Sequence, residues 1–311
     1  MRQLARKAGW LFRSAQGTIG VVFVGLVILV AIFGHLLAPY SPDQIDLNAV
    51  LSGPSASHWF GTDEAGRDIL SRVLTGADYT LPTAVAVVAF SLVAGSLVGV
   101  LAGYLGGTAG NVIMRVTDLF LSYPSLLLAI AVAAALGQGL LQAGAALAVV
   151  TWAAYARLAY VQTVSVRHRL YMDAADVAGT SLRRKLLRHI LPNASAPLLI
   201  KASMDVALCV EWIASLGFIG LGARQPAPEW GAMLATSREY ALGSWWYVVF
   251  PSVALFITVT GFLMLGGAFE ERLSGRHSLS RRTIRALVPG PPEMTAVAAG
   301  SLEPEEGVRH S

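Results

Sequence analysis

The stretch Tyr171–Pro192, YMDAADVAGTSLRRKLLRHILP, lies between two strongly apolar runs and yet holds a tight cluster of charge. Leu182, Leu186 and Ile190 fall at i, i+4 and i+8, with Leu187 and Leu191 beside them, so a helix here has one apolar face. Arg183, Arg184, Lys185 and Arg188 occupy the rest of its surface. Upstream, Ala174, Ala175 and Ala178 make a small-residue face that another backbone can approach closely. Gly179 separates the halves, because glycine reaches φ > 0 without strain and ends a first short helix. Ser181 is then the candidate N-cap of a second helix, and Pro192 is expected to stop it. These features predict two short helices at an angle, lying against a membrane rather than crossing it.

Composition agrees with a membrane setting. Of the 311 residues, 55% are hydrophobic and only 14% charged, whereas a soluble domain carries about 25% charged residues. The mean hydropathy is +0.59. Cys209 is the single cysteine, which excludes a disulfide within the chain and any cysteine-based metal site. The net charge of +4 is modest and no nucleic-acid motif accompanies it.

Outward from the charged stretch, apolar runs predict six spans. Thr18–Ala38 is longer than the ~7–15-residue core of a signal peptide and no A-x-A-like site follows it, so it is expected to be retained as the first span. Leu81–Leu105 is the second, with Gly95, Gly99 and Gly103 in two overlapping GxxxG patterns that allow close helix packing. Ile113–Leu136 is the third and Leu140–Tyr160 the fourth. Leu198–Leu221 is the fifth, and Trp245–Phe269 the sixth, opened by an interfacial aromatic anchor at Trp245, Trp246 and Tyr247. Polar segments at 39–80 and 222–244 connect some of them, and the Pro/Gly/Ala/Glu-rich end after Gly275 has too few large apolar residues to build a core.

Lysine and arginine set the orientation. The first fourteen residues hold four, the 157–201 connection eight, and the stretch just past the last span five arginines. The alternate connections hold two, none and two. Six spans with both ends in the cytoplasm satisfy these counts and place 171–192 on the cytoplasmic side.

Asp173-Ala174-Ala175, Gly179 and His189-Ile190-Leu191-Pro192 resemble the EAA loop of the permease subunits of bacterial ABC importers. Asp173 stands where that family usually has Glu, which keeps the charge and shortens the reach. His58-Trp59-Phe60-Gly61-Thr62-Asp63-Glu64-Ala65-Gly66-Arg67-Asp68 is similar to the H-x-x-G-T-D-x-x-G-R-D signature of the dipeptide/oligopeptide C-type permeases. Read from its residues alone, it is a Gly-punctuated turn and a short amphipathic helix. Leu216–Gly222, followed by Pro226, Pro228, Glu229, Trp230 and Gly231, also stands at a matching place, as do Asp118 with Tyr123-Pro124-Ser125, and Glu211.

The resemblance implies an all-α integral membrane protein, a six-transmembrane-helix, type I (MetI-like) importer permease with both termini in the cytoplasm of a bacterial plasma membrane. Its expected parts are 1–57, an N-terminal tail, first span and start of the external loop; 58–270, the permease domain with its coupling loop at 165–195; and 271–311, a disordered tail. Expected partners are a homologous B-type permease, two cytoplasmic ATP-binding subunits, an extracytoplasmic substrate-binding protein, the bilayer and a peptide. Contact with the ATPase is expected from Asp173, Ala174, Ala175, Gly179, Arg183, Arg184, Leu186, His189, Leu191 and Pro192. Nickel chelates and glutathione are alternative cargoes.

No Ser-His-Asp or nucleophile-elbow pattern, no Walker A and no metal-ligand spacing occurs, so no catalytic residue, cofactor or metal is assigned and ATP hydrolysis belongs to another polypeptide. Asp118, Asp205 and Glu211 fall in or near spans, where a lone charge costs ~2.5–3.5 kcal/mol at the centre. Asp118 and Glu211 are read as substrate-pathway candidates, against an internal ion pair such as Asp118 with Arg115 or Arg157. A secondary carrier would show an internal inverted repeat, and none is evident. A scaffold without transport would have no need of the 171–192 loop, and an interfacial amphipathic helix without a partner would leave its Ala-Ala and Gly spacing without a purpose.

Overall fold

Pro124, in the middle of the expected third span, is the point at which the chain departs most from a row of straight helices. In the computed structural model, which describes residues 14–170, 172, 177, 179–185, 188 and 190–273, helix α1 is Ala15–Leu37, α2 Ile69–Leu105, α3 Gly107–Leu121 and α4 Ser125–Leu136. Helix α5 is Leu140–Arg167, α6 Leu191–Phe218, α7 Trp230–Ser237 and α8 Trp245–Leu273. The expected third span is broken: it is a pair of helices, α3 and α4, bent by 86° at Ser122–Pro124. Proline lacks the N–H that would continue the ladder and disfavours helical geometry in the residue before it.

The chain is all-helical among the described residues. Four helices, α1, α2, α5 and α8, are long and apolar enough to cross a membrane, and the bent pair makes a fifth if it counts as one span. Helix α6 is long enough, but Lys201, Asp205 and Glu211 interrupt its apolar character. Other boundaries move too: α2 starts twelve residues before the expected Leu81, because Asp68 caps it by accepting from the Ser71 N–H at 2.8 Å. The charged segment past α5 also differs from expectation at Pro192, which does not stop a helix. It lies in the first turn of α6, where a missing N–H has no intrahelical partner to lose.

Helices α2 and α5 share an extensive contact. The Gly95–Gly99–Gly103 stripe faces α5 there. A Cβ at these positions would fall 2.7 Å from Tyr155 Cβ, 2.9 Å from Ala159 Cβ and 2.8 Å from Thr163 Cβ. Lipid supplies no hydrophobic force between helices, so this close approach gains dispersion contact instead. A main core forms where α2, α4, α5, α6 and α8 meet, around Leu81, Leu147, Val210, Ile213 and Tyr247. A smaller one sits at the other end of α2, around Val100, Tyr155, Val166 and Leu198. Outward-facing apolar residues such as Ile32, Leu97 and Phe90 remain exposed, as a lipid-facing surface requires. The chain divides into two units, Met1–Glu270, which holds the cores, and Glu271–Ser311. The expected disordered tail lies, beyond Leu273, outside the described residues, as do residues 1–13.

Candidate functional site

The charged segment is anchored at both of its ends. Met172 and Ile190 are buried and pack into the smaller core with Val100, Tyr155, Ala159 and Leu198. Burying side chains of this size stabilises by about 1.5–3 kcal/mol each, enough to hold the two ends against the bundle. Between these anchors Val177, Gly179, Arg184 and Arg188 are exposed. Gly179 takes φ +66° with open space around it, so the turn there needs glycine for its backbone and not for packing. Ser181 precedes the four-residue helical turn Leu182–Lys185, and its carbonyl accepts from the Lys185 N–H at 3.1 Å. Arg167, at the end of α5, donates from Nη1 to the Tyr104 carbonyl at 2.7 Å, closing the open C-terminal end of α2 beside the segment. Of the coupling candidates, Asp173, Ala174, Ala175, Leu186 and His189 lie outside the described residues, as does the Arg183 side chain. Leu191 is half-buried and Pro192 exposed at the start of α6.

At the opposite end of α2 the 58–68 motif builds a polar clasp. The Asp63 carboxylate accepts from the backbone N–H groups of Ala65 and Arg67 at 2.8 and 2.9 Å and from Arg67 Nε at 2.6 Å. Arg67 Nη2 donates to Glu64 at 2.6 Å, and the Tyr247 hydroxyl of α8 donates to the other Glu64 oxygen at 2.6 Å. The Asp68 cap is also 3.0 Å from His58 Nδ1. Phe60 stacks on Phe250 at 3.8 Å, which ties the loop to α8 a second time.

Arg72 is the pin of this assembly. It is fully buried, and its guanidinium donates to the Pro42 carbonyl at 2.9 Å and to the Pro226 carbonyl at 3.1 Å, while Nε lies 3.5 Å from Asp63. The polar connections 39–68 and 222–229 are thus joined through one side chain. Beside it Glu229, also fully buried, caps α7 by accepting from the N–H groups of Gly231 and Ala232 at 2.8 Å, and Trp230 Nε1 donates to the Val73 carbonyl at 3.0 Å. Burial pushes the Glu229 carboxyl above the ordinary range, against the opposing pull of those two N–H groups and of Thr80. Arg72 was not singled out from the sequence, while Tyr247 was read only as part of an interfacial anchor and Glu229 only as part of a matching segment. The available signal was an arginine one turn past Asp68, at the mouth of a long apolar run.

The pathway candidates separate. Asp118 on α3 forms an ion pair with Arg157 on α5, both half-exposed. Asp205 pairs with Lys201 one turn away at 3.0 Å. Glu211 is exposed in an open cleft between α6, α7 and α8. Among the described residues no three His, Cys, Asp or Glu side chains converge as a metal site would need.

Residues 95–275 match the family described as binding-protein-dependent transport system inner membrane component, and residues 11–54 match the N-terminal transmembrane domain of oligopeptide transport permease C. The chain is 45% identical over 268 residues to the probable D,D-dipeptide transport system permease protein DdpC of Escherichia coli, covering 86% of this chain and 90% of that one. It is 38% identical to the dipeptide transport system permease protein DppC of Alkalihalophilus pseudofirmus, covering 85% and 86%. It is 37% identical to the glutathione transport system permease protein GsiD of Pectobacterium atrosepticum, covering 81% and 84%.

Proposed function

The chain belongs to the binding-protein-dependent transport system inner membrane components, and from that premise we propose that it is the C-type permease of an ATP-driven peptide importer in the bacterial inner membrane. It forms half of the transmembrane pathway with a homologous B-type permease. Two cytoplasmic ATP-binding subunits drive the pair and an extracytoplasmic binding protein delivers the peptide. In this reading the chain crosses the bilayer six times, with α6 and the bent α3–α4 pair as spans shielded by a partner and both termini in the cytoplasm. The permease domain occupies 58–270, preceded by the first-span segment 1–57 and followed by the tail 271–311.

The observation that carries the mechanism is the doubly anchored 172–190 segment. Met172 and Ile190 are locked into the bundle while Arg184 and Arg188 project from it. Force applied to such a segment is passed to α5 and α6 rather than lost in a slack loop. Asp173, Ala174, Ala175, Gly179, Arg183, Leu186, His189, Leu191 and Pro192 complete the proposed ATPase contact. At the other end, the Arg72 clasp keeps the outer loops in one piece, so that helix motion reaches the binding-protein side. A relative 45% identical is named for D,D-dipeptides, and those named for glutathione, itself a tripeptide, at 37% and 39% stay within the same chemical class.

The complete complex in proteoliposomes tests this. ATP-dependent uptake of a labelled dipeptide, with ATP hydrolysis stimulated by the loaded binding protein, is expected. Uptake that ignores ATP and follows a proton or sodium gradient would refute the importer reading.

A further inference from the structure

The Glu211 carboxylate stands apart from Asp78, Asp118 and Asp205 of the same bundle. Asp78 faces His35 at 2.9 Å, Asp118 pairs with Arg157 and Asp205 with Lys201, whereas Glu211 has no hydrogen-bond or ion-pair partner for its side chain among the described residues. It opens into a cleft of about 430 Å³ whose other walls are largely apolar, with Phe218, Leu234, Leu255, Phe256 and Val259 around it. A bare carboxylate among such walls is costly unless a cation comes to it. Next to this lining and one helical turn past Leu234, the exposed Arg238 lies with its guanidinium 6.0 Å from the centre of the ring of Phe218. Among the described residues it has no carboxylate partner. The cleft therefore offers one free anion inside, one free cation beside it and apolar walls between.

Seven residues separate Glu211 from Phe218, about 10 Å along a helix. An extended peptide advances ~3.3–3.6 Å per residue, so about three residues cover that distance. We infer that this cleft is a transit site for a short zwitterionic peptide, in which Glu211 receives the amino-terminal ammonium and Arg238 the terminal carboxylate. The apolar walls accept side chains with little discrimination, because nothing in them demands a particular hydrogen bond. This assignment rests on the peptide-importer reading and adds to it the groups that recognise the cargo inside the membrane.

The test uses the complete transporter in proteoliposomes with one preparation of binding protein loaded with labelled trialanine, so that capture outside is the same in every arm. Glu211→Gln is expected to lower uptake about ten- to a hundredfold, the loss of one charge-assisted hydrogen bond, with stimulated ATP hydrolysis and co-purification of the second permease retained. Glu211→Asp restores part of the uptake, and Arg238→Gln, beside the cleft, lowers it less. Wild-type uptake by Glu211→Gln overturns the assignment. So does loss of the second permease or of stimulated hydrolysis in that variant, which would make the carboxylate an assembly contact. A wild-type complex that hydrolyses ATP but takes up no peptide overturns the peptide-importer reading itself, and this assignment with it.

Discussion

Replacing Arg72 by methionine isolates the clasp, because methionine matches much of the side chain's apolar length and removes its charge and donors. Two charge-assisted bonds, to the Pro42 and Pro226 carbonyls, disappear. At ~1.5–3 kcal/mol each their gross value is roughly 3–6 kcal/mol. Relief from holding a guanidinium out of water offsets part of that, and Asp63 keeps its Arg67 partner at 2.6 Å. Both carbonyls, however, are left without this donor. Removing one partner of a buried charged contact costs ~3–5 kcal/mol, and the lower part of that range, about 3 kcal/mol, fits a site where Asp63 stays satisfied. Thermal unfolding of the detergent-solubilised protein should then shift down by roughly 6–12 °C, at ~2–4 °C per kcal/mol. Limited proteolysis should reveal where the loss occurs, with new cleavage within residues 39–60 and 222–229 and none within α5. Arg72→Lys should fall between, since a single ammonium cannot span two carbonyls in a fixed fork. If Arg72→Met melted and resisted protease like the wild type, the Phe60–Phe250 stack and its neighbours would be sufficient to hold the loops, and the pin would be a misreading.

Gly99→Leu drives a side chain into α5 where a Cβ already falls 2.9 Å from Ala159 Cβ; a loss of about 1–3 kcal/mol and a lower melting temperature are expected, with Gly25→Leu, which has open space, as the silent control. Gly179→Pro forces φ near −65° on a turn built at +66°; transport and stimulated ATP hydrolysis should fall sharply while melting of the bundle is unchanged, and full coupling in that variant would remove the segment from the mechanism. The raised Glu229 carboxyl makes folded-state stability greatest below the ordinary carboxylate range and lowers it as pH rises through the higher folded value; Glu229→Gln should flatten that part of a melting-temperature-against-pH curve.

Much of the architecture was legible in the order of residues. A bilayer requires long apolar helices, and the runs ending at Leu37 and Leu105 announce themselves by hydropathy alone. The glycine stripe on α2 was readable because helix periodicity puts Gly95, Gly99 and Gly103 on one face, and the turn at Gly179 because few other residues adopt its backbone angle. The charged 171–192 segment and the 58–68 motif were recognisable as patterns, and the family resemblance follows from them. Pairings over long sequence distances were not legible. Arg72 reaches a carbonyl 30 residues behind it and another 154 ahead, and no local property of the chain encodes either meeting. Pro124 marked a break, but the 86° angle between α3 and α4 is seen only in the folded chain. Asp118 and Glu211 read alike as charges in apolar runs; only the packed helices show one facing Arg157 and the other facing an open cleft. Hydropathy and period are properties of neighbours along the chain and so survive in the sequence, whereas the partner of a buried charge is chosen by neighbours in space.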